Sequence, residues 1–261
     1  MKLNNFTSTA IKAALAGGKV LSKYFDKNIN VTYKGRIDPV TKADKESQKE
    51  VFNVIQRKFP KHSFLGEEEG ANSVISDDYC WITDPLDGTV NFIHNLPIFC
   101  VSVALKYKDE IVTGVIHAPI LKETFVAQKG EGAFLNGKKI KVSDTDSLVR
   151  SLAVTGFPYD MSVGKNRVFN NFVSLVNNVQ GIRRLGSAAL DLAYVAMGRF
   201  EAFWEEGLFP WDIAAGALIL EEAGGKVTDF KGENKYTENK NILATNGFVH
   251  NKVLKLLSSA K

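Results

Sequence analysis

The chain has 261 residues, 33 basic and 29 acidic side chains, a formal charge of +4 and 44% hydrophobic residues. These values predict a compact globular protein with a sizeable core and argue against long disordered segments. The basic residues are interleaved with acidic ones, and the short cluster 138–141 favours a solvated edge over a nucleic-acid groove.

Two features indicate the compartment. Cys80 and Cys100 are the only cysteines and lack a CxxC spacing, which favours a reducing environment. The amino terminus has no apolar core of the signal-peptide type, and no later run approaches the roughly 20 apolar residues of a membrane span. We therefore expect a cytoplasmic protein that does not associate with membranes.

The first part of the chain predicts two amphipathic helices. Apolar residues recur at helical spacing from Ile11 to Phe25. A second helix is expected to begin near Thr41, with Asp44 in its first turn, and to end at Pro60.

From about Ser63 to Val142 the pattern changes to the alternation of strands. Segments 99–107, 111–118 and 123–128 predict strands, and Asn136-Gly137 is a hairpin signal, so we expect an antiparallel meander.

Strands and helices then alternate to the end of the chain. We expect strands at 152–155 and 201–204, helices at 168–176, 188–197 and 211–223, and a last helix around Val253. Without a repeat or a low-complexity linker, this order predicts two closely packed α/β halves, 1–145 and 146–261.

Acidic residues stand out at three places: Glu67 to Glu69, the pair Asp84 and Asp87, and Asp212. None has a histidine or cysteine beside it, and oxygen-only ligands favour hard cations such as Mg²⁺. Each also has a simpler interpretation. Asp87 can belong to a turn, Asp212 can be a helix N-cap, Asp44 can be part of a capping box, and the glutamates can lie in a solvated loop.

The segment DPLDGT is the most suggestive of these. Its proline restricts the backbone between Asp84 and Asp87, so that both carboxylates and the Leu86 carbonyl could converge on one cation. If a helical turn begins after Gly88, the amides of Gly88 and Thr89 would point to the same place and could bind an anion.

The segments WITDPLDGTVNFIHNLP and PWDIAAGALILEEAGG resemble the two signatures of the inositol monophosphatase family. The members of that family are Mg²⁺-dependent, lithium-sensitive phosphatases. TKAD at 41–44, GEE at 66–68, LGSAA at 185–189 and FWE at 203–205 follow in family order. The resemblance covers nearly the whole chain. It implies an α/β fold of the α+β type, a layered αβαβα sandwich with an antiparallel amino-terminal sheet, two helices and a smaller mixed carboxy-terminal half.

The resemblance also implies two to three Mg²⁺ ions, most of whose ligands lie in the half 1–145. The implied ligands are Glu67, Asp84 and the Leu86 carbonyl for one ion, Asp84, Asp87 and Asp212 for a second, and Glu67 with Asp44 for a third, weaker ion. The implied catalytic residues are Asp44, Thr89 and Glu67. The implied substrate contacts are Asp87, Gly88, Thr89, Ser187, Ala188, Arg184 and Glu205.

The implied activity is hydrolysis of myo-inositol monophosphate to inositol and phosphate by a metal-activated water. Family relatives leave open fructose 1,6-bisphosphate or a broad range of sugar and nucleotide phosphates, with Arg183 and Arg184 serving a second phosphate or a subunit contact. A regulatory protein of the transcription machinery is the alternative of another class. The family also implies a homodimer.

Overall fold

The computed structural model describes residues 3–27, 31–33, 39–68, 78–158 and 165–259. Helices in these ranges are α1 (Asn5–Tyr24), α2 (Lys42–Lys58), α3 (Thr89–Ile93), α4 (Lys165–Val176), α5 (Ala188–Ala196), α6 (Pro210–Glu222), α7 (Tyr236–Asn239) and α8 (His250–Ser259), with a 3₁₀ turn at Leu148–Arg150. Strands are β1 (Val31–Tyr33), β2 (Pro39–Thr41), β3 (Ser63–Gly66), β4 (Tyr79–Asp87), β5 (Cys100–Tyr107), β6 (Glu110–Ala118), β7 (Glu123–Gln128), β8 (Gly132–Leu135), β9 (Lys138–Lys139), β10 (Leu152–Thr155), β11 (Gly181–Arg183), β12 (Ala202–Glu206), β13 (Lys226–Thr228) and β14 (Asn241–Thr245).

The two amino-terminal helices begin at side-chain caps. Asn4 accepts a hydrogen bond from the Thr7 amide at 2.8 Å at the start of α1. At α2, the Thr41 hydroxyl accepts from the Ala43 amide at 3.0 Å, and the Asp44 carboxylate accepts from the Thr41 amide at 2.8 Å. These caps satisfy amides that have no partner within the helix, which confirms the helix start predicted at Thr41.

The larger sheet has seven strands in the order β3-β4-β5-β6-β7-β8-β9. All neighbours from β4 to β9 are antiparallel, as the meander predicts, but β3 pairs with β4 in parallel. The expectation of a purely antiparallel sheet is therefore wrong at this edge. Local alternation predicts a strand but does not determine the direction of its partner.

The second sheet has five strands in the order β11-β10-β12-β14-β13. β10 pairs in parallel with β11 and β12, whereas β14 is antiparallel to β12 and β13, so the sheet is mixed as expected.

The elements stack in five layers. α1 and α2 cover one face of the seven-stranded sheet, while α6 covers its other face and packs against α5. α5 in turn contacts the five-stranded sheet, and α8 packs against β14 and α4 on the far side. Three hydrophobic clusters fill the spaces between layers, centred on residues such as Trp81, Leu192 and Trp204. This is the predicted αβαβα sandwich.

Every helix within the described ranges is too short or too polar to span a lipid bilayer. Cys80 and Cys100 are both free thiols.

Candidate active site

β4 ends in an irregular segment that carries two of the predicted acidic residues. Its pairing with β5 shifts register between Asp84 and Asp87, as at a β-bulge. The Leu86 amide donates to Asp84 Oδ1 at 2.9 Å, and Ser47 Oγ on α2 donates to the Pro85 carbonyl at 2.8 Å. These bonds fix the bulge, and Asp84, Leu86 and Asp87 all line one cavity.

Gly88 connects β4 to the short helix α3. Its φ is +97°, a left-handed conformation that side chains disfavour. An added Cβ would also lie 2.9 Å from the Ile98 carbonyl oxygen and 3.2 Å from the Gly186 carbonyl oxygen. Glycine is therefore required here for both its conformation and its size, and α3 begins directly afterwards at Thr89.

Thr89 is held between two acceptors. Its Oγ1 lies 3.1 Å from Asp44 Oδ1 and 3.1 Å from the Leu86 carbonyl oxygen. Asp44 uses its other oxygen, Oδ2, to accept bonds from the amide and the hydroxyl of Thr41 at 2.8 and 2.6 Å. The helix cap and the contact with Thr89 thus involve different oxygens of the same carboxylate.

Asp44 is almost fully buried, at 1% exposure. Burial raises the pKa of its carboxyl group to about 6, with smaller contributions from the charges of Glu68 and Glu67 and an opposing effect of the Thr41 hydrogen bonds. A carboxyl group with a pKa near neutrality can accept a proton at working pH and release it again.

Asp87 connects β4 to the start of α5. Its Oδ2 accepts bonds from Ser187 Oγ and from the Ala189 amide, both at 2.7 Å, and lies 3.9 Å from Cys100 Sγ. A negative charge is favoured at a helix amino terminus. Burial raises the pKa of Asp87 to about 6, and the hydrogen bonds from Ser187 and Ala189 oppose that rise.

Asp212 lies in the first turn of α6, and its carboxylate accepts a hydrogen bond from the Phe209 amide at 2.7 Å. The N-cap is Phe209, so the interpretation of Asp212 as the N-cap is wrong, although its carboxylate does satisfy the amide of that residue. Its pKa is raised well above the ordinary range, mainly by burial and then by the charge of Asp87. Burial likewise raises the pKa of Asp84, followed by the charges of Glu67, Asp87 and Asp212. These raised pKa values show that the acids influence one another.

The carboxyl groups line a cavity of about 330 Å³, a volume suited to a small ligand. It lies where β4, α5, the end of β12 and the start of α6 meet. Asp44 is the one predicted site residue outside the lining, and it reaches the cavity through Thr89. The predicted residues that line it are Glu67, Asp84, Leu86, Asp87, Gly88, Thr89, Arg184, Ser187, Ala188, Glu205 and Asp212. Glu69 lies outside the described residues.

The donor set fits a hard cation, although no three His, Cys, Asp or Glu side chains of the described ranges form a ready metal cluster. Like-charged carboxylates repel one another unless a cation lies between them. The donors are carboxylate oxygens and the Leu86 carbonyl, which suit Mg²⁺. Among the ion pairs of the described residues, none joins Asp84, Asp87 or Asp212 to a basic side chain.

Residues of α5 and β12 also line the cavity. Burial, followed by the charge of Asp87, raises the pKa of Glu205 to about 8, and the charge of Arg184 opposes the rise. Ser187 lines the cavity, but its hydroxyl already donates a hydrogen bond to Asp87. Arg183 donates a hydrogen bond to the Ile182 carbonyl, and of the two arginines only Arg184 lines the cavity.

Sequence reasoning missed several residues of this cavity. Phe157 and Pro158 follow β10, and Phe209 stacks on Trp211 with ring centroids 5.0 Å apart. These contacts depend on tertiary packing and leave no local signal. Asp191 also lines the cavity and could have been suspected, because it is the only charged residue in the otherwise apolar helix α5.

The layered fold and an acidic, oxygen-lined cavity at the ends of β4 and α6 define a class of α/β proteins suited to a cation and an anionic ligand. A model of the inositol monophosphatase family matches residues 2–261, and the chain belongs to that family.

Individual relatives agree with this assignment. The Nus factor SuhB of Pseudomonas aeruginosa is 43% identical over 243 residues, covering 91% of this chain and 90% of that protein. The inositol-1-monophosphatase of Mesorhizobium japonicum is 41% identical over 250 residues, covering 94% and 93%. The solved structure of inositol monophosphatase from Anabaena superposes with a TM-score of 0.90 at 43% identity and covers 99% of this chain and 97% of that one.

Proposed function

We propose that the protein is a Mg²⁺-dependent phosphomonoesterase that hydrolyses myo-inositol monophosphate to inositol and phosphate. The observation that carries this proposal is the meeting of Glu67, Asp84, Asp87 and Asp212 in one cavity with Thr89, which is bonded to Asp44. Membership of the inositol monophosphatase family supports the substrate.

Glu67, Asp84, Asp87, Asp212 and the Leu86 carbonyl would hold two Mg²⁺ ions, and Glu67 with Asp44 would hold a third, weaker one. Bound Mg²⁺ would supply the positive charge that neutralises the phosphate oxygens and would acidify a water molecule. The carboxylates themselves repel the phosphate dianion, so they favour hydrolysis only when this charge is present.

Thr89 and Asp44 would position the attacking water and remove its proton. Thr89 Oγ1 donates to Asp44 Oδ1, which leaves its lone pairs free to accept a proton from water. As the water oxygen bonds to phosphorus, its proton passes through Thr89 Oγ1 to Asp44 Oδ1. The P–O ester bond breaks, and the departing alkoxide takes a proton from a solvent water to become the inositol hydroxyl, while Asp44 releases its proton to solvent and so restores the proton balance.

The remaining substrate contacts surround the phosphate and the polyol. The amides of Gly88 and Thr89 would bind phosphate oxygens, while Glu205 would accept hydrogen bonds from inositol hydroxyls. Ala188 and Arg184 line the same cavity. Ser187 would act on the substrate through Asp87, to which its hydroxyl donates a hydrogen bond.

A substrate panel tests the assignment. We expect Mg²⁺-dependent phosphate release from inositol 1-phosphate to exceed that from fructose 1,6-bisphosphate and nucleoside monophosphates at matched concentrations, and to cease in a chelator. If inositol 1-phosphate ranks among the slowest, the inositol assignment is wrong and the phosphatase assignment stands. Arg184 at the cavity makes the bisphosphate the strongest rival, since it offers a cation for a second phosphate.

A second candidate function is a regulatory partner of the transcription machinery, which the relatives named Nus factor favour. Asp87→Asn separates the two. If the cellular role is lost together with hydrolysis, the protein acts as an enzyme; a role that survives loss of hydrolysis supports the binding protein.

Three family expectations belong to the same proposal. We expect inhibition by Li⁺, a homodimer in sedimentation experiments, and a cytoplasmic location. The two halves 1–145 and 146–261 remain a proposal, supported by the two sheets, whose strands β3–β9 and β10–β14 come from separate stretches of chain.

A further inference from the structure

Asp191 is a buried acid without the bonds that normally accompany burial. Its side chain is 1% exposed, and its Oδ1 has no hydrogen-bond partner among the described residues. Buried polar groups in folded proteins are almost always bonded, because leaving one unpaired costs free energy. Asp191 lies in the first turn of the otherwise apolar helix α5, and its unpaired carboxylate oxygen requires a reason.

The surroundings of Asp191 point to the cavity. Asp191 lines it together with Glu205 and Arg184. The charges of Glu205 and Asp87 act on Asp191, and Arg184 opposes them. Arg184 has the same effect on Glu205. Asp191 and Glu205 therefore both lie near the positive charge of Arg184 in one cavity. Oδ1 of Asp191 is left without a hydrogen-bond partner in the part of the chain that the structure describes.

We propose that Asp191 determines specificity by accepting a hydrogen bond from a hydroxyl of the leaving polyol, beside the hydroxyl bound by Glu205. This inference rests on the proposed phosphatase function. A polyol phosphate supplies the missing donor, whereas an ester without hydroxyls leaves Asp191 unpaired. Sites built to bind a hydroxyl reject analogues that lack it for this reason.

A purely structural alternative is that Asp191 only balances the charge of Arg184. The two interpretations differ in which substrates respond to substitution. A structural residue would change the hydrolysis of all phosphate esters alike, whereas a hydroxyl-binding residue would affect only those with a polyol.

Asp191→Leu and Asp191→Asn test the proposal with inositol 1-phosphate and phenyl phosphate, both with saturating Mg²⁺. Leucine keeps the shape and removes both oxygens. We expect kcat/KM for inositol 1-phosphate to fall about 10- to 100-fold in Asp191→Leu while that for phenyl phosphate changes less than about threefold. Asp191→Asn keeps one acceptor oxygen, so its kcat/KM for inositol 1-phosphate should lie between those of wild type and Asp191→Leu.

Tyr194→Phe is the matched control. It removes a hydroxyl from the same helix, where Tyr194 bonds Glu123 at 2.9 Å outside the cavity, and should leave the ratio of the two substrates unchanged. Calorimetric binding of free inositol gives a readout without turnover, and Asp191→Leu should weaken it.

An equal fall in kcat/KM for both substrates in Asp191→Leu, or a fall for neither, would overturn the assignment of Asp191 while leaving the proposed phosphatase function in place. A wild-type protein that hydrolyses phenyl phosphate but not inositol 1-phosphate would overturn the proposed substrate, and the role of Asp191 with it. A wild-type protein that hydrolyses neither would overturn the proposed function as a whole.

Discussion

Asp44 uses its two carboxylate oxygens for different purposes. Oδ2 caps α2 through Thr41, and Oδ1 contacts Thr89 at 3.1 Å. The capping interpretation and the functional one, which compete when only the spacing of residues is known, are therefore compatible. Asp212 similarly accepts a hydrogen bond from the Phe209 amide at the start of α6 and also lines the cavity.

Thr89 provides a direct test of the proton path. Thr89→Val keeps the shape of the side chain and removes the hydroxyl, so we expect kcat for inositol 1-phosphate to fall about 100-fold or more, with little change in KM. Thr89→Ser keeps the hydroxyl and should retain most of the rate. A valine variant as fast as the serine variant would contradict the role of Oγ1 in the reaction.

His250 predicts a pH effect on stability away from the site. It is 1% exposed, its ring nitrogens contact the hydroxyls of Thr228 and Thr245 at 3.0 and 2.9 Å, and burial lowers its pKa to about 4. A lowered pKa means that the unfolded state takes up a proton first as the pH falls. Stability from neutral His250 is therefore present above pH 6.5 and is lost between about pH 6.5 and pH 4.

Urea unfolding of wild type and His250→Gln between pH 7.5 and pH 4 measures this effect. The difference in unfolding free energy between them should shrink by up to about 3 kcal/mol as the pH falls, because one pKa unit corresponds to about 1.4 kcal/mol. If the unfolding free energies of wild type and His250→Gln change in parallel with pH, the expected contribution of His250 to stability is wrong.

At the scale of elements, α6 makes one especially close contact with the seven-stranded sheet. A Cβ added at Gly114 of β6 would lie 2.7 Å from the Ala215 carbonyl oxygen, so the helix backbone approaches the sheet directly. Ala215 is three residues from Asp212. The distance between helix and sheet therefore helps to set the position of a proposed metal ligand.

We expect Gly114→Ala to push α6 outward. Overpacking of this kind typically costs about 1–3 kcal/mol of unfolding free energy, and the concentration of Mg²⁺ needed for half-maximal activity should rise. Gly181→Ala is the control, because its added Cβ would make only ordinary contacts at 3.4 Å. Unchanged stability and Mg²⁺ dependence in Gly114→Ala would show that this contact does not position Asp212.

Much of the element order could be predicted because its signals are local. The start of α2 at Thr41 and the end of α6 before Gly224 follow from capping and glycine preferences over a few residues. The parallel pairing of β3 with β4 has no such signal, since it depends on which sheet edge is free. Similarly, the segment 84–89 could be predicted, whereas the contributions of Phe157 and Phe209 to the cavity depend on packing between distant elements.

For the whole molecule, the buried carboxylates of the cavity lower the free energy of unfolding, and a bound cation would offset that loss. Burial and mutual repulsion raise the pKa values of Asp84, Asp87 and Asp212. A ligand that binds only the folded state stabilises it, by about 2.7 kcal/mol at 100 times its Kd. We expect Mg²⁺ at that excess to raise the unfolding free energy by about this amount, as measured by urea unfolding with and without chelator.

Asp212→Asn and Glu221→Gln are the matched pair for that experiment. Both replace an acid of α6 by its amide, but only Asp212 lines the cavity. The stabilisation by Mg²⁺ should shrink in Asp212→Asn and persist in Glu221→Gln. Equal stabilisation of both variants would place the cation elsewhere.

Phosphate release from inositol 1-phosphate across a Mg²⁺ titration, in wild type, Asp212→Asn and Glu221→Gln, tests most directly whether the cavity is a Mg²⁺-dependent phosphatase site. We expect the rate to rise from near zero with Mg²⁺ in wild type and Glu221→Gln, and to be about 100-fold or more lower in Asp212→Asn. Hydrolysis by wild type that is insensitive to Mg²⁺ and chelator, or an Asp212→Asn variant as active as Glu221→Gln, would contradict this expectation.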